Sequence, residues 1–353
     1  MADPTPTCVE DITQEWLSTT LGRAVTIVSG PKAAVQGHTQ CLKVFVSVAP
    51  TSSPSAVEHL FVKCHRTEYT EEDEVMVQLH AKAQKREIEF YTHVSNVSII
   101  PSCVVALPSG VLVLDNPTGA NPSLSCLSMQ DPPLSLEEMG PILDAYAVLH
   151  TTDVSLPGVF MDQDALMELR NVRWETAVGE GSAVERMTAL CDANPELVAD
   201  GTREALLAAA EEGYCMPVVE DGEWKDHVVL SHGDANPNNI LRDASDNSIT
   251  LIDFQEPAMA HPSFDLGWLL VTSVSEETRR EGGAKAMVQR YLEATARLGA
   301  PIVPDLEAFF PLVAHATRMS ALLILVIVGP IPIDTSTWIG RLLASCLAAI
   351  VSP

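Results

Sequence analysis

The chain lacks several of the patterns that mark other protein classes. Its eight cysteines, at positions 8, 41, 64, 103, 126, 191, 215 and 346, never form a Cys-x-x-Cys pair, so neither a zinc site nor a compact disulfide framework is indicated. Reduced thiols in a cytoplasmic protein are the simpler account. Basic residues are scarce: 21 Lys and Arg stand against 47 Asp and Glu, for a formal charge of −26. That balance argues against a nucleic-acid partner and against an anionic membrane surface. It suits a cationic or neutral small substrate, although acidity is also a common solubility trait. Long apolar runs are missing too. The longest, Ala321 to Val328, stops at Gly329-Pro330; it is too short for a bilayer and reads as a buried helix. Met1-Ala2-Asp3-Pro4 is acidic and has no apolar core, which argues against a secretory signal. Neither Gly-x-x-x-x-Gly-Lys-Ser/Thr nor Gly-x-Gly-x-x-Gly occurs, so a P-loop architecture is set aside. No internal repeat or low-complexity tract is visible.

What is there suffices for a substantial core: 353 residues, 46% of them hydrophobic, make one large two-lobed domain or two ordinary ones. The first third is β-rich. Leu42, Val44, Val46 and Val48 alternate with Lys43, Phe45 and Ser47, and His59 to Cys64 offers a second strand. Cys103–Leu107 and Val111–Leu114 flank Pro108-Ser109-Gly110 as a hairpin. Ile12 to Leu21 has helical spacing and ends at Gly22, and Glu72 to Ser95 carries a long helical pattern without Pro or Gly. After a Pro-rich stretch, Ser135 and Glu138 have capping-box spacing, with Met139, Ile142, Leu143, Tyr146 and Leu149 on one face. Gly140-Pro141 could delay that helix's start. Further helices are expected over 164–176, 182–191, 195–212 and 276–298, with two more after Asp305.

The chemistry concentrates in Ser231-His232-Gly233-Asp234-Ala235-Asn236-Pro237-Asn238-Asn239 and the following Leu251-Ile252-Asp253-Phe254-Gln255. Val228 to Leu230 and Ile249 to Ile252 read as strands, with Asp246-Asn247 at a hairpin tip. Phosphoryl transfer wants such residues together: a group to orient an acceptor hydroxyl and take its proton, and oxygen ligands for Mg²⁺. Asp234 would be the base, with Asn239 and Asp253 as metal ligands. Taken singly, each is also an ordinary turn former; the joint pattern is harder to dismiss. Trp174, Trp224 and Trp268 could face a quaternary ammonium, or simply pack in the core. Glu220, Asp221, Glu223 and Asp226 could attract a cationic acceptor, or only solvate a loop.

These segments resemble the aminoglycoside phosphotransferase and choline kinase-like superfamily, and more closely its ecdysteroid kinase-like branch. The resemblance implies an α+β, protein-kinase-like fold with a β-rich nucleotide-binding lobe over 1–117 and a mostly helical catalytic lobe over 118–353. It implies an ATP- and Mg²⁺-dependent kinase that phosphorylates a hydroxyl of a small molecule such as an amino alcohol, an aminoglycoside or a sterol. Asp234 matches the family's base, Asn239 and Asp253 its Mg²⁺ ligands, and His232 and Asp265 its supports of the catalytic loop. Phe61-Val62-Lys63 and Arg86-Glu87-Ile88-Glu89-Phe90-Tyr91 are similar to the segments whose lysine and glutamate align the nucleotide, which favours Glu87 over Glu89. Gly37 and Thr39 stand where a phosphate-covering loop would lie, and backbone groups near Asp115 and Asn116 where the adenine edge would. Leu149-His150 resembles a Leu-His pair of the superfamily, with His150 a packed residue. Ala235-Asn236 departs from the usual Leu followed by an aromatic residue or His, which leaves the substrate subtype open. No Ala-Pro-Glu segment follows Asp253, which disfavours protein substrates. A nucleotide-binding pseudokinase with a regulatory or scaffolding role is the alternative. A two-metal phosphoesterase would want further His and Asp clusters.

Overall fold

A computed structural model describes residues 5–34, 41–65, 74–94, 97–121, 123–154, 160–198, 201–215, 227–300 and 305–351. The chain packs as two compact units. The first holds Met1–Ser125, Val154–Phe160 and Leu241–Glu256; the second holds Cys126–Asp153, Met161–Ile240 and Pro257–Pro353.

The first unit is built on a five-stranded sheet in the order β1-β2-β3-β5-β4, from β1 (Val25–Ala33), β2 (Cys41–Pro50), β3 (Glu58–His65), β4 (Cys103–Leu107) and β5 (Val111–Asp115). Strand alternation sends Val44, Val46, Val48, Leu60, Val62 and Cys64 into one core, where Ile12, Trp16 and Leu17 of α1 (Gln14–Thr20) and its entry cover them. The opposite face carries Lys43, Phe45, Phe61 and Lys63. Antiparallel register sets Lys43 across from Lys63 and Phe45 across from Phe61. β1 was not expected from the sequence. It lies at the sheet edge, contains Gly30-Pro31 and shifts register twice, so its alternation is broken. α2 (Glu74–His93) follows β3, and a three-stranded sheet orders β10 (Ile249–Leu251), β9 (Ile240–Asp243) and β6 (Leu124–Cys126). Between β5 and β6 lies a single helical turn, α3 (Pro117–Ala120).

Segment 241–256, expected in the second lobe, packs with the first unit. The physical reason is Phe254, fully buried and stacked on Phe90 of α2 with ring centroids 3.9 Å apart and planes within 9°. An expected boundary at 117 also moves to Ser125. Asp243 ties the two ends of this stretch: its carboxylate accepts from Ser123 Oγ at 2.6 Å, from Ser245 N at 2.7 Å and from Asn121 Nδ2.

The second unit is mostly helical: α4 (Leu136–His150), α5 (Gln163–Val178), α6 (Ala183–Ala193), α7 (Thr202–Glu212), α8 (Ser263–Ser273), α9 (Glu276–Thr278), α10 (Ala284–Arg297), α11 (Leu306–Val328) and α12 (Trp338–Val351). A small sheet orders β7 (Met161–Asp162), β11 (Ala258–Ala260) and β8 (Val229–Ser231). α4 starts at its capping box, with Ser135 Oγ accepting from Glu138 N at 3.3 Å and Glu138 Oε2 from Ser135 N at 3.0 Å. Pro141 lies inside the helix and does not delay it. The single helix expected over 276–298 is three pieces, α9, a π-turn over Arg279–Gly283 and α10. The helix expected from 195 starts only at Thr202. The apolar run at 321–328 is the last third of α11, whose 23 residues make it, among the described residues, the one helix long and apolar enough to cross a bilayer. Most of that stretch is buried in this unit's core, against α8, α5 and α12.

Candidate active site

Lys63, in the middle of the sheet, is 1% exposed and makes two ion pairs, to Glu87 Oε2 at 2.6 Å and to Asp253 Oδ1 at 2.7 Å. Burial alone would lower the Lys63 pKa, but the neighbouring carboxylates of Asp253 and Glu87 outweigh it and hold the ammonium charged. Glu89 instead faces Lys85, 3.8 Å away one helical turn earlier. Asp253 sits at φ 65°, a left-handed conformation uncommon outside glycine. Its second oxygen faces Lys43 Nζ at 3.4 Å. Along the sequence Lys43 is only an outward residue of an alternating strand. Nothing local marks it, because its role arises from the cross-strand register that sets it beside Lys63.

These residues line one wall of a cavity of about 130 Å³ whose other walls include Phe45, Phe61, Leu114, Asp115 and Asn116. Phe45 and Phe61 lie 5.3 Å apart, and period-2 alternation puts both on the lysine face of the sheet. Asp115 and Asn116 therefore border the same cavity as Lys63, Glu87 and Asp253. Their amides point elsewhere: Asp115 N donates to Ser102 O at 2.9 Å and Asn116 N to His59 O at 2.8 Å. Gly37 and Thr39 lie outside the described residues.

In the second unit, the loop after β8 is braced from several sides. Asp265, near the start of α8 and 1% exposed, accepts from His232 N at 2.7 Å through Oδ2 and from Gly233 N at 2.9 Å through Oδ1. Burial would raise the Asp265 pKa, but His150 and the loop donors outweigh it and lower it. His150 is held between Asp265 Oδ2 at 3.0 Å and Tyr291 Oη at 2.8 Å. Gly233, at φ 81°, takes a turn open to glycine. Asp234 N then donates to His232 Nδ1 at 3.3 Å, and Asn239 Nδ2 donates to both Asp234 O and Asp234 Oδ2 at 2.9 Å. With its nitrogen directed at Asp234, Asn239 keeps its amide oxygen, a hard donor, on the other side of the group.

Arg170 of α5 was not anticipated, since an arginine in a helix ordinarily decorates a surface. It is 5% exposed, stacks over the Trp268 ring at 4.4 Å and donates through Nη2 to Gly233 O. That stacking places a protein cation on Trp268, and Trp174 stacks on Tyr214 with centroids 6.1 Å apart, so these two rings serve packing rather than open faces for an ammonium. Trp224, Glu220, Asp221, Glu223 and Asp226 lie outside the described residues.

As to metal, no group of three or more His, Cys, Asp or Glu suited to an ion occurs among the described residues. Asp253 in the first unit offers a carboxylate oxygen and Asn239 in the second an amide oxygen; each is the kind of hard donor that suits Mg²⁺, which takes few protein oxygens and completes its shell with water and phosphate.

Residues 163–298 match the family model described as the Ecdysteroid kinase-like family, a span that takes in Asp234, Asn239, Asp253 and Asp265. Among solved structures, choline kinase from Cryptosporidium parvum Iowa II superposes with a TM-score of 0.50 at 13% identity, over 97% of this chain and 90% of that one. A choline kinase from Streptococcus pneumoniae gives 0.48 at 14% identity, over 90% of each. A microcompartment-associated aminopropanol kinase gives 0.49 at 16% identity, over 97% of this chain and 95% of that one. No curated protein matches the chain in sequence. The fold is thus an α+β, protein-kinase-like one, and the family model that matches residues 163–298 is of the branch that the motifs resemble.

Proposed function

We propose that the protein is a small-molecule kinase that moves the γ-phosphoryl group of a nucleoside triphosphate, ATP among them, with Mg²⁺, to a hydroxyl of a small acceptor. The observation that carries this reading is the buried Lys63–Glu87 pair, with Asp253 on the same ammonium, at one wall of a cavity otherwise lined by aromatic and apolar groups. A cation held by a buried carboxylate suits a polyphosphate, and Phe45 and Phe61 suit the flat faces of a base. Lys43 adds a second ammonium on the same face.

Asp234 is the base of this scheme. Its Oδ2 is engaged by Asn239, which leaves Oδ1 to accept the acceptor's O–H. As the acceptor oxygen bonds to the γ-phosphorus and the bond to the bridging oxygen breaks, the hydroxyl proton passes to Asp234. Asp265 and Arg170 hold the peptide groups on either side of Gly233 and so fix where that carboxylate stands. Asp253 and Asn239 would hold Mg²⁺, which when bound neutralises charge on the phosphates. The family match over 163–298 supports the assignment of these loop residues.

The test is ADP formation from Mg-ATP in the presence of a panel of amino alcohols, aminoglycosides and sterols. One acceptor should raise the rate. Asp234→Asn should then lower it by about 10²–10⁴-fold with ADP binding intact, the range for loss of a general base. Binding of ADP with no turnover on a broad metabolite panel would favour the pseudokinase alternative; an Asp234→Asn protein of full activity would remove the mechanism.

A further inference from the structure

A second cavity, of about 50 Å³, lies in the helical unit, walled by the linker that precedes α4, by Pro237, by the end of α8 and by the first half of α12. That is several times the roughly 10–15 Å³ that one water requires. Pro237 belongs to the loop that carries Asp234 and Asn239. The same linker grips this loop at Asn238: Met129 N donates to Asn238 Oδ1 at 3.1 Å, and Cys126 Sγ to Asn238 O at 3.1 Å. The cavity therefore sits behind the candidate catalytic loop.

Its polar groups are hydroxyls short of partners and cations without counter-charges. Ser273 lines the cavity at 2% exposure, and its Oγ has no hydrogen-bond partner. Ser345 also lines it. Ser345 Oγ accepts from Arg279 Nη1 at 2.9 Å, which leaves this hydroxyl to act as a donor. As a donor it reaches only Val274 O at 3.5 Å, past the usual O–H···O range of roughly 2.5–3.0 Å. Arg279 opens the π-turn and is 3% exposed, yet it meets only neutral oxygens: the carbonyls of Leu270, Val274 and Ser345 and the Ser345 hydroxyl. Arg341, on the wall itself, donates to the carbonyls of Ser336 and Gln130. Among the described residues no carboxylate pairs with either guanidinium, in a chain with 47 acidic against 21 basic residues. The one acid on the wall, Asp131, is exposed and turns its Oδ2 to Ser128 N at 3.1 Å.

A buried cation without a counter-charge and a buried hydroxyl without a partner are each costly. One kind of ligand relieves both: an anionic oxygen that accepts from Ser273 and Ser345 and balances the charge of Arg279 and Arg341. We infer that this cavity is a binding site for a small oxyanion, a phosphate or the carboxylate of a small acid, seated behind the loop of Asp234 and Asn239. Water would satisfy Ser273 but brings no charge, and so leaves both arginines as they are. The site is separate from the cavity lined by Lys63 and does not depend on the nucleotide reading.

The experiment is fluorine NMR of the full-length protein labelled with fluorotryptophan, since Trp338 lines the cavity and Trp338→Phe identifies its resonance. Phosphate and acetate are titrated at constant ionic strength, with chloride as the balancing salt. The Trp338 resonance should move saturably at millimolar anion, and the anion that acts at lower concentration names the head group. No saturable movement with either, or the same movement with chloride, overturns the inference. Ser273→Ala and Arg341→Gln should each weaken binding about tenfold or more; unchanged affinity in both places the anion elsewhere and overturns the site. Ser273→Ala removes a hydroxyl that has no partner, so without anion it should melt no lower than the native chain, and it carries the test if Arg341→Gln folds poorly. Nucleotide binding takes no part in this readout, so its failure would remove the kinase reading alone.

Discussion

At the scale of single residues, burial turns ordinary charges into commitments. Lys63 and Glu87 are 1% and 2% exposed, and removing one member of such a pair leaves the other's desolvation uncompensated. Lys63→Met should lower stability by about 3–5 kcal/mol, read from urea unfolding, and Lys63→Met with Glu87→Gln should regain part of that loss; additive losses would mean the two do not interact. Lys43 is 20% exposed at its side chain and pairs with Asp253 at a looser 3.4 Å, so Lys43→Gln should fold normally. On the proposed function it weakens ADP about tenfold and leaves adenosine unchanged, because only the phosphates would meet its ammonium. The two lysines were unequally legible. Lys63 follows an apolar pair in a motif, whereas Lys43 becomes visible only when β2 and β3 are set in register.

At the scale of elements, the second unit depends on close helix contact. A Cβ added at Gly267 of α8 would stand 2.6 Å from the backbone carbon of Ala316 and 2.7 Å from Thr317 N, both in α11. Neither atom can rotate away. Gly267→Ala should therefore cost about 1–3 kcal/mol by forcing the two helices apart, measurable as a lower unfolding midpoint, and a neutral result would show that the helices part freely. Helix starts were readable where a cap announces them, as at Ser135 for α4 and Asp305 for α11. They are hidden where composition continues past a break: α7 begins only at Thr202 and α9 and α10 are separated by a π-turn. Hydropathy periodicity is nearly the same on both sides of such a break, and hydrogen-bond pattern is not encoded in it.

At the scale of the whole molecule, pH is the clearest lever. Burial pushes the imidazole of His261 down from 6.5 to about 4. A histidine that resists protonation in the folded state favours folding fully above pH 6.5, and the unfolded chain gains protons first as pH falls. Stability should thus decline between about pH 6.5 and 4, by about 3 kcal/mol from this group, and thermal melts of His261→Asn should show a shallower decline across that window. A second window lies lower. Hydrogen bonds from Ser123 and Ser245 hold the Asp243 carboxyl at about 2, so its contribution is present above the usual carboxylate range and is lost only as pH falls toward 2. Asp243→Asn should leave melting near pH 7 and near pH 2 closer together than in the native chain; an unchanged gap would remove the carboxylate from the account of acid unfolding.

Much was determined by the amino-acid order alone. Alternation and helical spacing placed β2 to β5, α1, α2 and α4, because those periods follow from backbone geometry. The Asp234, Asn239 and Asp253 motif pointed to phosphoryl transfer because few chemistries want those groups together. Tertiary structure decided the rest. It drew segment 241–256 to the first unit through Phe254 and Asp253, brought Lys43 beside Lys63, and buried Arg170 against Gly233 and Trp268. It also turned the amides of Asp115 and Asn116 into the sheet. None of these can be read along the chain. Each depends on strand register, on which face a side chain meets, or on which acceptor lies nearest an N–H, and those are properties of residues far apart in sequence.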